Sequence, residues 1–278
     1  MKKYPALLLL FCLMACEFGE KKRQMPADPE PPALQGTFVE YEIRKIDEQS
    51  GPCSSDSTST RCVDIDISYP TILEGASAPV LDSMNANIQK GILAYAFEGG
   101  VIPDFQSFIG EIKSEYENLM KDFPEYNTGW QLEIKSDIIY QDSLYLSVAS
   151  TIYTYTGGAH ANTFQVYRSY DLQTGSTITL DDLLEPGYKS DLNEAAELEF
   201  RMAKQIPPSR DLDDEGYFFN GNRFELNDNF AILNNSLLFY FNPYEIAPYA
   251  LGGTLLELKL TDYVKLIKNG SVIEDLKD

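Results

Sequence analysis

The 278-residue chain contains a single histidine, His160. That excludes any metal site built on two or more imidazoles and leaves room for one histidine-based triad at most. No Gly-x-Ser-x-Gly elbow accompanies it. Positive charge is also scarce. There are 22 Lys and Arg against 43 Asp and Glu, for a formal charge of −21. Such a field repels nucleic acid and anionic headgroups, so nucleic acid is not an expected partner. It serves solubility, and it also attracts basic partners. No apolar run after residue 16 approaches the ~20 residues of a membrane-spanning helix. Cysteine occurs only at positions 12, 16, 53 and 62.

The N-terminus is where apolar residues concentrate. Lys2 and Lys3 precede a short apolar stretch from Ala6 to Ala15, the layout of a secretory signal. Leu13-Met14-Ala15-Cys16 is similar to a bacterial lipobox, in which cleavage precedes the cysteine and the sulfur takes diacylglycerol. Residues 1–15 are therefore expected to be a lipoprotein signal, with Cys16 the lipid attachment site and the membrane a partner through that lipid. Removing Lys2 and Lys3 takes the charge from −21 to −23. Residues 16–36, with Pro26, Pro29, Pro31 and Pro32, read as a proline-rich tether. The expected location is the bacterial cell envelope, lipid-anchored, periplasmic or on the cell surface. Cys53 and Cys62 remain in an oxidising compartment. They are expected to form a disulfide, the alternative being half of a metal site.

Hydrophobic content of 44% and aromatic content of 12% support a packed core beyond the tether. Val39, Tyr41 and Ile43 alternate with polar residues, as do Val63, Ile65, Ile67 and Tyr69, which predicts a hairpin whose second strand ends at Pro70. Helical spacing follows from Val80 to Leu93, stopped by Gly99-Gly100, and again from Phe105 to Phe123 after Pro103-Asp104. Strands are predicted near 130–134 and 144–153, with Leu144, Leu146, Val148 and Ile152 facing the core. A hairpin then runs from Phe164 to Tyr170 and back through Ile178 and Leu180. A helix capped by Ser190 carries Leu192, Ala196, Phe200 and Ala203. Three strands at 223–226, 230–233 and 237–241, a strand at 255–260 and a helix at 262–268 complete the reading. No short-period repeat and no βαβ alternation occur. The pattern predicts an α+β fold, with antiparallel sheets, helices packed on one face and two successive subdomains.

The stretch Tyr153-Thr-Tyr-Thr-Gly-Gly-Ala-His160-Ala-Asn162, the run Thr179-Leu-Asp-Asp-Leu183, and the run Leu237-Leu-Phe-Tyr-Phe-Asn-Pro-Tyr-Glu-Ile-Ala-Pro-Tyr249 before Gly252-Gly253 fall in a familiar order. Together they resemble a tandem pair of domains of unknown function. That pair is found in the peptidoglycan deacetylase PdaC and in the ectodomain of the lysozyme-sensing anti-sigma factor RsiV. The resemblance spans about residues 37–268. It implies a PdaC-like accessory domain over 37–160 and an RsiV-like C-terminal domain over 161–278. It also implies peptidoglycan or a cationic lysozyme-like protein as a partner. A deacetylase catalytic domain, with its aspartate and paired metal histidines, is not found here.

Residue by residue, the candidate binding positions are Tyr153, Tyr155, Gly157, Gly158, His160, Asn162, Tyr244 and Glu245. Gly157 and Gly158 suit a tight turn that His160 ties down, or His160 serves a ligand. Tyr145, Tyr153 and Tyr155 share a strand face that is either an exposed aromatic surface or core. Tyr240, Tyr244 and Tyr249 leave the same two readings open, and Glu245 is a cap or a contact. Asp211-x-Asp213-x-Glu215-Gly216 partly mimics a calcium loop, but Asn222 stands where a bidentate glutamate belongs, so no metal is expected. No catalytic residue and no cofactor are assigned. The reading is a non-catalytic envelope lipoprotein that binds a partner. The alternative is a cryptic enzyme acting on peptidoglycan or another glycan with His160 and nearby carboxylates.

Overall fold

Two alternating stretches at the start of the fold pair as their pattern dictates. The computed structural model describes residues 39–54, 59–96 and 102–277; the signal, Cys16, the tether, Gly99 and Gly100 lie outside the described residues. β1 (Glu40–Ser50) and β2 (Val63–Glu74) run antiparallel, with Ile46 opposite Ile67 and Gln49 opposite Asp64. Cys53 and Cys62 are bridged between them, their Cα atoms 5.6 Å apart.

Two helices follow. α1 (Ala78–Ala96) buries Met84, Ile88, Ile92 and Leu93. α2 (Phe105–Asp122) starts where the Asp104 carboxylate accepts the Ser107 N–H at 2.8 Å, and it buries Phe105, Phe108, Ile109 and Tyr116. The helices carry the chain over the sheet to β3 (Trp130–Gln141), which lies parallel to β2. A helical crossover is what a parallel neighbour requires. β4 (Tyr145–Tyr155) and β5 (Asn162–Asp171) then add antiparallel, giving the order β1-β2-β3-β4-β5. On one face Ile65, Ile67, Ile134, Val148, Ile152 and Val166 meet Met84, Ile88, Phe105 and Phe108. Each such side chain contributes about 1.5–3 kcal/mol when fully buried.

The second half begins with a short α3 (Leu180–Leu183), held by a capping box between Thr179 and Asp182. α4 (Tyr188–Lys204) then packs Leu192, Ala196 and Phe200 into a core shared with β6 (Phe230–Leu233), β7 (Ser236–Phe241) and β8 (Thr254–Lys259). These three strands form an antiparallel sheet in the order β6-β7-β8. Phe200 is ringed by Tyr217, Phe219 and Phe224 at centroid distances of 4.9, 5.7 and 5.3 Å.

The halves meet on the first sheet's other face. The Ser147 hydroxyl donates to the Ile232 carbonyl, and Ser169 Oγ, 2.7 Å from Ser147 Oγ, accepts the Ile232 N–H at 2.8 Å. Tyr145 enters the second core and its hydroxyl donates to the Asn234 carbonyl at 3.2 Å. Burial there pushes its phenol far above the ordinary tyrosine range. β5, the first strand after residue 160, belongs to the five-stranded sheet.

Several local expectations are corrected. β2 does not end at Pro70 but runs to Glu74, with Pro70 opposite Ile43. Its pairing with β3 stops at Ser68, so Pro70 falls where the ladder is edge-like and a missing N–H is tolerated. The return through Ile178 is a single bridge between Tyr170 and Thr177. Residues 223–226 form no strand; the Leu226 N–H is instead taken by Asn193 on α4 at 3.0 Å. The closing helix is two 3₁₀ turns, Leu260–Asp262 and Val264–Leu266, which bury Leu260 and Leu266. α4 begins before Ser190, because Tyr188 is itself a core residue. Leu144, in the turn before β4, is 44% exposed rather than core.

Candidate functional site

The five-stranded sheet leaves part of its second face open, and register decides what that face presents. β2 places Val63, Ile65 and Ile67 inward and Asp64 and Asp66 outward. Pairing sets Asp47 opposite Asp66, Asp66 opposite Glu133, Glu133 opposite Tyr153 and Tyr153 opposite Thr163. Three carboxylates therefore lie in one row across β1, β2 and β3 and run into Tyr153 on β4. The next row reads Gln49, Asp64, Gln131 and Tyr155. A shallow depression of about 270 Å³ sits over the acidic end, lined by Asp47, Asp64, Asp66 and Glu133 among others. The row on its other side carries two cations, Lys45 and Lys135 flanking Ser68, and Lys135 is ion-paired with Glu133.

The tyrosine end of the sheet leads to the Gly157–His160 loop. The Tyr155 hydroxyl donates to the Gly158 carbonyl at 3.3 Å. Tyr126 supports the loop from the helix side: its hydroxyl donates to the Thr156 carbonyl at 3.2 Å and accepts the Trp130 indole N–H at 3.2 Å. Gly157 has φ +94, and a Cβ there would lie 2.6 Å from the Tyr126 oxygen, so glycine is required on two counts. Gly158 has φ +103 with open space around it. Asn162 is exposed at the start of β5, opposite Thr154.

His160 is exposed, and its ring stacks on Tyr249 with centroids 4.4 Å apart and planes 19° from parallel. Nδ1 lies 3.0 Å from the Ala161 carbonyl, which assigns it the proton. Nε2 then faces the Tyr244 hydroxyl at 3.5 Å, the outer limit of a hydrogen bond. Tyr244 and Tyr249 are themselves 5.5 Å apart. Tyr244 takes φ +70, uncommon for a bulky residue, and is 55% exposed. Tyr249 is 40% exposed, and Phe218 and Leu251 are exposed close by in the same half.

The candidate positions therefore separate. Tyr153, Tyr155, Gly157, Gly158 and His160 form one continuous strand end and loop, and Tyr244 joins it from the second half. Glu245 is exposed, but its carboxylate is engaged within the chain. Its carboxylate accepts the Asn242 N–H at 2.8 Å and the Asn227 amide at 2.7 Å, which makes it a cap on the 242–249 turn. Tyr145, grouped with Tyr153 and Tyr155 by strand face, is covered by the second sheet. Asp47, Asp66 and Glu133 carried no motif, and only strand register brings them together.

Among the described residues the ligand-type cluster is Cys53, Cys62 and Asp64. Its two sulfurs are bonded to each other and offer no thiolate. In the acidic loop Glu215 is paired with Arg210 at 2.8 Å, and Asn222 accepts the Asp213 N–H at 3.3 Å. Among the described residues no helix is long and apolar enough to cross a membrane.

Comparisons with known proteins agree with this arrangement. Residues 57–163 match the family model "Deacetylase PdaC", and residues 181–260 match the family model "Protein of unknown function (DUF3298)". No curated protein matches the sequence. A crystal structure of a DUF3298 family member from Bacteroides fragilis NCTC 9343 superposes with a TM-score of 0.70 at 19% identity, covering 86% of this chain and 97% of that one. A DUF3298 family protein from Pseudomonas aeruginosa PAO1 gives a TM-score of 0.62 at 16% identity, covering 83% and 95%. The chain thus carries two domains in tandem, the first resembling PdaC and the second resembling DUF3298, on the fold of DUF3298 proteins.

Proposed function

We propose that this protein is a lipid-anchored binding module of the bacterial envelope, and that its partner is a cationic protein of the lysozyme kind. The observation that carries the reading is the row Asp47–Asp66–Glu133–Tyr153 on the open sheet face. Carboxylates at one end attract a basic surface and speed encounter. Tyrosines at the other end supply rigid contact area that governs residence time. The exposed Tyr244–Tyr249 pair, stacked against His160, extends that contact area into the second half. The net charge of −21 favours the same class of partner.

A second reading, peptidoglycan as ligand, draws on the exposed Tyr244 and Tyr249 rings and the half-buried Tyr153 and Tyr155, since tyrosine faces stack on sugars. A glycan-cleaving enzyme has less support, because the His160 ring is stacked on Tyr249 and its Nδ1 proton is directed at a backbone carbonyl.

Calorimetric titration of the purified chain with lysozyme, with an acidic protein of similar size and with soluble peptidoglycan fragments tests the assignment. Heat from lysozyme alone supports it. Heat from the fragments alone supports the second reading, and equal heat from both proteins contradicts specificity.

A further inference from the structure

α4 carries two apolar stripes, and only one of them has a place in the core. Leu192, Ala196 and Phe200 face inward. Ala195, Leu198 and Met202 form a second stripe on the outer surface, with Leu198 56% and Met202 55% exposed. An ordinary surface helix is polar at such positions. Beside this stripe the 3₁₀ turns Leu260–Asp262 and Val264–Leu266 raise a second wall. Between them lies a groove of about 700 Å³, with Ala195, Leu198, Tyr263 and Leu266 along its floor and sides. Its rim is acidic. Asp191, Glu194 and Asp262 outnumber Lys265 there, while Arg201 is occupied by Glu197 at 2.7 Å and the Arg210 carbonyl at 2.9 Å.

We propose that this groove receives an amphipathic helix of a basic peptide segment. Recognition of a helix in a groove needs an apolar floor that takes anchors at i, i+3, i+4 and i+7. Ala195 and Leu198, with Tyr263 and Leu266 across from them, present such a floor, and Met202 continues the exposed stripe one turn beyond it. The acidic rim selects Lys or Arg on the flanks of the incoming helix and rejects an acidic counterpart. It likewise disfavours an anionic membrane surface as the occupant of the apolar stripe. At 1.5 Å per residue the groove side of α4 accommodates about three turns of helix. This surface is distinct from the sheet face of the proposed function and does not depend on it.

The test uses the full purified chain and a fluorescein-labelled peptide of about 18 residues, with leucines at i, i+3, i+4 and i+7 and lysines elsewhere. Anisotropy is expected to report saturable binding. Leu198→Glu with Met202→Glu is expected to weaken it at least ~10-fold, since central anchors dominate such interfaces. Asp191→Lys with Glu194→Lys is expected to weaken it ~10-fold and flatten its salt dependence. Phe123→Ala, an exposed ring at the end of α2 that belongs to neither surface, leaves it unchanged. Circular dichroism confirms that the variants fold; both pairs are surface changes, and either pair alone decides the matter. Three results overturn the proposal: no binding at high micromolar peptide, equal affinity for a peptide with the same leucines and lysines in scrambled order, or affinity unmoved by both pairs of α4 changes.

Discussion

Asn229 closes the outer edge of β5 at Tyr167. Its amide oxygen accepts the Tyr167 N–H at 2.8 Å, and its amide nitrogen donates to the Gln165 and Tyr240 carbonyls, each at 2.9 Å. Asn242 does the same one step along, accepting the Gln165 N–H at 2.7 Å and donating to the Gln165 carbonyl at 3.1 Å. An edge strand left bare would expose these groups to pairing with another chain. Two side-chain amides here take the part of a neighbouring strand, and they join the two halves.

Asn229 is fully buried, so its removal takes away three hydrogen bonds made at a buried position. Asn229→Ala is expected to cost about 2–3 kcal/mol, read as a lower urea midpoint. Asn229→Asp is expected to be no better. It keeps an acceptor for Tyr167 but turns a carboxylate toward two carbonyl oxygens. A midpoint unchanged by both substitutions contradicts the assigned role.

Gly157 and Gly158 separate two effects of an added Cβ. Gly157→Ala meets the Tyr126 hydroxyl and is expected to cost about 2 kcal/mol or more; Gly158→Ala meets only the left-handed backbone and is expected to cost about 1 kcal/mol. Tyr126→Phe removes the obstructing oxygen. A double-mutant cycle is expected to show the Gly157→Ala penalty shrinking in that background.

The Cys53–Cys62 bridge closes a short loop ahead of β2. Replacing both with serine is expected to lower stability by about 2–3 kcal/mol. Denatured, unreduced protein should resist alkylation at both positions, and two freely alkylated thiols would contradict the bridge.

Anchoring is tested at Cys16. Metabolic labelling with an alkyne fatty acid is expected to mark the native protein and not Cys16→Ser. Equal labelling of the two rejects lipidation at that residue.

Much of the fold could be read from side-chain period. The alternation of Val63, Ile65 and Ile67 with Asp64 and Asp66 gave β2 its two faces, and the Phe105–Phe108–Tyr116 spacing gave α2 its buried stripe. The parallel pairing of β2 with β3 was not legible, since period specifies which face a strand buries and not which neighbour it takes. Asn229 and Asn242 read as ordinary turn residues, because their partners on β5 lie far away in sequence. The site divided the same way. His160 and Tyr244 stood out within their motifs, whereas the stacking of His160 on Tyr249 and the row through Asp47, Asp66 and Glu133 exist only after the strands have chosen their register.

The central claim, a partner-binding surface of carboxylates and tyrosines, is met most directly by surface plasmon resonance of lysozyme on the immobilised chain at several salt concentrations. The account predicts an association rate that falls steeply with salt and drops further in Asp66→Asn with Glu133→Gln. It predicts that Tyr153→Ala, Tyr155→Ala and Tyr249→Ala chiefly raise the dissociation rate, by about tenfold at the strongest position. Absence of detectable binding at high micromolar lysozyme and low salt, or dissociation rates unmoved by all three tyrosine changes, would contradict it.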